Sequence, residues 1–147
     1  MARSIIGLIV GYVLMFFLEI AAFSAVYSMM GADWSFKTAS YQPSTRWTLV
    51  QFIVVFVTAV VGGLVCQLIA GKGKSPLVLA GVVVVIGLAL GAMINSNSSA
   101  DTRKMGTKDI PAMEAIRKAQ HPVWVVLAES FLAAVGVIVG GSLKRVR

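Results

Sequence analysis

Among 147 residues there is one cysteine, Cys66, and one histidine, His121. A lone cysteine excludes an intrachain disulfide, and too few thiols and imidazoles remain to assemble a structural zinc site. His121 cannot supply paired axial ligation of a haem, and beside Pro122 it reads as an ordinary interfacial residue. Charge is scarce as well. Only 13% of residues are charged, six of them acidic. Against these shortages stand a hydrophobic fraction of 58% and a mean hydropathy of +0.87. A soluble domain of this size has too much surface for its volume to hide so many apolar side chains. Lipid is therefore the expected solvent, and the expected fold is a single all-α integral membrane domain.

The formal charge of +7 would fit a nucleic-acid partner if it formed a stripe. Instead the basic residues flank apolar runs, the distribution of topology signals and of contacts with anionic lipid. The bilayer is the expected partner, and nucleic acid is not. Arg3 ahead of an apolar core, with Ala22-Phe23-Ser24 behind it, has the layout of a secretory signal. Apolar sequence resumes beyond Glu19, so a retained first span is expected.

A bilayer-crossing helix needs about 20 mostly apolar residues. Four stretches qualify, about Ile5–Met29, Trp47–Ala70, Pro76–Ile94 and Val123–Leu143, separated by outer loops 30–46 and 95–122. Ser44 or Thr45 can cap the second span, and Ser75-Pro76 and His121-Pro122 place proline at a first turn, where its missing N–H costs nothing. Arg3, Lys72, Lys74, Lys144, Arg145 and Arg147 lie on one side with no acid among them. The other side mixes Lys37, Arg46, Arg103, Lys104, Lys108, Arg117 and Lys118 with Asp33, Asp101, Asp109 and Glu114. The denser, acid-free set predicts cytoplasmic termini in a bacterial inner membrane. Tyr27, Trp34, Tyr41, Trp47 and Trp124 fall at the opposite ends of the spans, where amphipathic rings anchor at an interface.

Spans two and four resemble each other. Each starts near a tryptophan and ends in a glycine pair, Gly62-Gly63 or Gly140-Gly141; aligned on those pairs, Gln51 falls opposite Glu129. The match predicts two hairpins related by an axis along the membrane normal. Small residues four apart, Gly7/Gly11, Ala59/Gly63, Gly87/Gly91 and Gly136/Gly140, with Ala133 on the same face of span four, predict close helix packing in a compact bundle. In the third loop, Ile110, Met113 and Ile116 recur every third residue between Pro111 and Arg117-Lys118, the pattern of a short amphipathic helix at the interface.

Glu19 and Glu129 are the ionisable residues inside spans. A carboxylate in hydrocarbon costs several kcal/mol, so it faces the protein interior, carries a proton or finds a partner. At 100° per residue Glu129 lies about 20° from Gly136 and Gly140. Measured from the outer ends, Glu129, Gln51 and Glu19 sit about 9, 7 and 15 Å deep. A shared polar layer is expected, with Gln51 and a hydroxyl such as that of Ser24 or Thr48 bonding the carboxyls.

Other motifs weaken on inspection. Gly73-Lys74-Ser75 resembles the end of a phosphate-binding loop, but Leu68 stands where its first glycine belongs and no strand precedes it. Asn97-Ser98-Ser99 is a glycosylation sequon with meaning only in a secretory pathway. With no nucleophile–base pair and no metal or cofactor motif, an enzyme is not expected. The leading expectation is a non-enzymatic accessory subunit of a larger inner-membrane complex, bound to other subunits or to itself through its small-residue faces and outer loops. The alternative is a small homo-oligomeric transporter or channel for protons or cations that uses the two glutamates.

Overall fold

The computed structural model describes residues 2–37, 42–71, 74–96 and 122–143. Tyr41, the amphipathic pattern at 109–118, His121 and the basic residues after Leu143 lie outside these. Four long helices dominate: α1 (Ala2–Met30), α3 (Thr45–Ala70), α4 (Ser75–Ser96) and α5 (Val123–Leu143), with a one-turn α2 at Ala32–Ser35. Among the described residues these four are long and apolar enough to cross a membrane, and there is no strand beyond an isolated bridge between Phe36 and Pro43. Helices α1 and α3 begin about a turn earlier than the apolar runs, because Ala2-Arg3-Ser4 and Thr45-Arg46 continue the helix into polar sequence. At 29 residues α1 is about 43 Å long, more than a hydrocarbon core of about 30 Å requires.

Local chemistry sets the helix ends. Gly31 at φ 75° and Gly71 at φ 76° end α1 and α3 in a conformation that a Cβ disfavours. Ser44 caps α3: its Oγ accepts the Trp47 N–H at 3.1 Å and donates to the Trp34 carbonyl at 2.7 Å. One side chain thus starts α3 and ties it to α2. Ser35 Oγ donates to the Gly31 carbonyl, and the Ser44 N–H reaches the Ser35 carbonyl at 2.9 Å. The connection from α1 to α3 is therefore hydrogen-bonded at both of its described ends.

The helices pack in the cyclic order α1, α3, α5, α4, with α3 and α5 extensively paired and the α1–α4 seam the thinnest of the four. Glycine makes the contacts close. A Cβ on Gly11 would lie 2.8 Å from the Gly62 carbonyl oxygen, and one on Gly62 would lie 3.0 Å from the Gly11 carbonyl oxygen, so α1 and α3 touch backbone to backbone. On the adjacent face of α3, Gly63 lies against the Val137 carbonyl of α5. The second glycine pair divides its work in the same way: Gly140 lies against the Val60 carbonyl of α3, and Gly141 against Pro76 of α4. Consecutive helical residues point about 100° apart, so each pair serves two neighbours at once. Ala59 and Gly136 meet in the α3–α5 contact, Gly87 lies against Ser130, and Gly91 is in van der Waals reach of Leu127.

These contacts also align the ends. Gly7 beside Ala70, and Gly141 beside Pro76, bring the start of α1, the α3–α4 turn and the end of α5 to one end of the bundle. The other end holds an aromatic cluster. Tyr27 and Trp47 are buried there edge to face at 6.3 Å, with Trp34 6.4 Å and Phe23 6.1 Å from Trp47 and with Phe36 packed against them. Trp124, by contrast, is 61% exposed. Ile5, Ile9, Phe17, Leu49, Ile53, Val85 and Phe131 belong to a broad apolar exterior that no described residue covers.

Candidate functional site

Burying the small residues inward leaves a gap where four helices bring larger, partly polar side chains together. A cavity of about 180 Å³ is lined from α1 by Tyr12, Met15, Phe16 and Glu19, from α3 by Val55, and from α4 by Val83, Ile86, Gly87 and Leu90. The fourth wall is α5, with Val126, Glu129, Ser130 and Ala133. Both carboxyls of the helical bundle thus border one space, although 110 positions separate them in the chain. Phe16 and Leu90, both lining residues, are about half exposed, and they belong to α1 and α4, the ring neighbours with the thinnest seam. The cavity therefore opens through the α1–α4 seam toward the apolar exterior.

The polar contacts inside are few. Glu19 Oε1 accepts from Thr58 Oγ1 at 3.4 Å, but the same hydroxyl lies 2.9 Å from the Val54 carbonyl and 3.1 Å from the Val55 carbonyl. A hydroxyl has one hydrogen to share among these three acceptors, and the backbone oxygens are nearer. Glu129 Oε1 is buried and accepts no hydrogen bond among the described residues. Its neighbour Ser130 directs Oγ to the Val126 carbonyl at 2.7 Å instead. Leaving a carboxylate in apolar surroundings without a partner costs several kcal/mol of lost solvation, and a proton or a cation removes that cost.

The hydroxyl that meets a carboxyl belongs to Thr58, not to Ser24 or Thr48. Thr48 Oγ1 turns back to the Ser44 carbonyl at 3.1 Å. Depth counted from the ends of the apolar runs points to the outermost turns of α3 and so misses Thr58, which lies one turn before Gly62 on the face of α3 that meets α1. Gln51 is 95% buried, but it is not among the residues that line the cavity. Two of the three residues of the expected polar layer, Glu19 and Glu129, border one cavity.

The donor set limits the chemistry. Among the described residues no group of three or more His, Cys, Asp and Glu side chains could hold a metal ion. Hard cations take six or more oxygen ligands, whereas the lining here offers two carboxyls and the hydroxyls of Tyr12 and Ser130 between apolar walls. A proton, or a cation whose other surfaces are apolar, suits that wall better than a metal ion. Compared with known proteins, the chain matches no family model, no curated protein and no solved structure.

Proposed function

We propose that this protein is a multi-pass membrane protein of the bacterial inner membrane, and that it works as a small proton- or cation-coupled transporter with Glu19 and Glu129 as its coupling groups. The observation that carries this reading is the shared cavity: two carboxyls from different helices border one small space, where Glu19 accepts a long hydrogen bond from Thr58 and Glu129 Oε1 accepts none among the described residues. A group held this way can exchange a proton or a cation without first breaking a strong network. Two like charges on the wall of one apolar cavity repel, and a bound cation relieves the repulsion. The thin α1–α4 seam supplies a route from the bilayer, and the ring of uncovered apolar side chains is the surface that lipid would cover.

Two features of the arrangement extend the reading. Each glycine pair sits on a helix flanked by two neighbours, α3 by α1 and α5, and α5 by α3 and α4. That equivalence is the case for repeated hairpins α1–α3 and α4–α5, although a ring with α1 beside α4 and α3 beside α5 is not the one that a twofold axis along the membrane normal gives. The basic end of the bundle, with its dense and acid-free flanks, is the cytoplasmic one.

Reconstitution of the full chain into proteoliposomes tests the transport reading. A proton gradient should dissipate faster through the wild type than through empty vesicles, and Glu19→Gln and Glu129→Gln should each abolish the difference while the chain stays folded. Equal flux in the wild type and both variants would overturn it. The second reading, a subunit of a larger complex, is favoured by one observation, the long uncovered apolar flank of α1 from Ile5 to Ile20. Mass spectrometry of gently extracted protein with a stoichiometric set of other subunits would support that reading instead.

A further inference from the structure

At the basic end a second, smaller cavity of about 100 Å³ lies where α3, α4 and α5 meet. It is lined by Gln67, Lys74, Pro76, Leu77, Ile138, Gly141 and Ser142, with no acidic residue among them. Its polar groups are mostly donors. Lys74 is exposed and carries three N–H groups; Ser142 is exposed too, but its hydroxyl donates to the Val139 carbonyl at 2.7 Å and adds only an acceptor oxygen. Gln67 is 95% buried and fixed by donating from Nε2 to the Gly71 carbonyl, which leaves the second hydrogen of that nitrogen. The cavity sits at the start of α4, where the helix dipole adds positive potential. Its other wall is apolar: Leu77 is 52% and Ile138 42% exposed, and both belong to stretches that lipid tails would touch.

We infer that this cavity binds the anionic headgroup of a membrane phospholipid. The phosphate accepts from Lys74 and from the remaining Nε2 hydrogen of Gln67, and the acyl chains run along Leu77 and Ile138. Charge complementarity selects this occupant. Arg3 lies at the same end of the bundle, the sequence adds Lys72 in the α3–α4 turn and Lys144, Arg145 and Arg147 directly after α5, and none of these neighbours is acidic. A basic cluster of this kind at a helix end attracts anionic lipid. A zwitterionic headgroup meets the same donors without a net charge to complement them. The inference rests on the membrane reading above but not on transport.

The test uses the full chain in nanodiscs of phosphatidylcholine mixed with phosphatidylglycerol, followed by detergent extraction and native mass spectrometry of the lipids that remain bound. The wild type should retain phosphatidylglycerol in preference to phosphatidylcholine. Lys74→Gln should lower that retention about fivefold, the factor that about 1 kcal/mol per basic residue near an anionic surface corresponds to. Ser142→Leu should lower it by filling the cavity at an exposed position that folding tolerates. Lys37→Gln, at the opposite end, should leave it unchanged. Equal retention of both lipids, or of phosphatidylglycerol by wild type and Lys74→Gln alike, would overturn the inference. So would displacement of the lipid by millimolar inorganic phosphate, which would assign the site to a free anion. A chain that stays in solution without lipid would sink the membrane reading itself, and that failure shows before any lipids are compared.

Discussion

At the scale of single residues, the glycines decide how near the helices come, and the two glutamates decide what the gap between helices contains. A Cβ on Gly63 or Gly140 would overlap a backbone carbonyl, which cannot rotate away as a side chain can. Gly63→Ala and Gly140→Ala should each cost about 1–3 kcal/mol through overpacking. Gly81 meets nothing within 4 Å, so Gly81→Ala should be neutral or stabilising by up to about 1 kcal/mol. Thermal unfolding midpoints in one detergent check all three, and a Gly63→Ala midpoint level with Gly81→Ala would rule out this helix spacing. Both glutamates were legible in the sequence, because an ionisable residue inside an apolar run carries a solvation cost that its neighbours do not. Their similar depth was legible too, and with it a shared polar layer; the cavity that both border was not, since it depends on which helices are neighbours. Thr58 is illegible for a related reason: a threonine can always bond its own helix, and only the position of Glu19 shows that it also faces a carboxyl.

At the scale of elements, periodicity and capping chemistry predict the helices well, and the turn between α1 and α3 poorly. Apolar run length places all four long helices within a turn or so of their ends. By composition, segment 30–46 reads as a loop with scattered rings. In the structure Trp34 and Phe36 join Tyr27 and Trp47 in a packed cluster, and Ser44 holds the described ends of the segment together. Aromatic residues at a span's end carry the same sequence signal whether they anchor in an interface or pack on each other. Ser44→Ala should cost about 1 kcal/mol by loss of the cap. Trp47→Ala should cost about 3–5 kcal/mol by emptying the centre of the cluster. Hydrogen exchange on the two variants should show faster exchange at the first turn of α3 in both. Protection unchanged from wild type would mean that the cluster and cap contribute nothing to that end.

At the scale of the whole molecule, the ends of the bundle are chemically distinct, and labelling can assign their sides. Cys66 is fully buried and so supplies a silent background. Lys37→Cys and Lys74→Cys stand at opposite ends at exposed positions. In intact cells an impermeant thiol reagent should label Lys37→Cys, and Lys74→Cys only after permeabilisation. The reverse pattern would invert the topology, and labelling of both from outside would contradict an odd number of crossings between them.

Composition by itself determined that the chain would form helices apolar enough to cross a membrane, because 58% hydrophobic residues cannot be hidden by a chain of this length in water. Run length and end chemistry determined the helices, because hydrogen bonding and capping are local. The order of helices around the bundle, the closure of each glycine pair on two partners, and the cavity that joins Glu19 to Glu129 were decided only by the tertiary structure. Those depend on which faces meet, and in a chain apolar all round no hydrophobic stripe announces which face that will be.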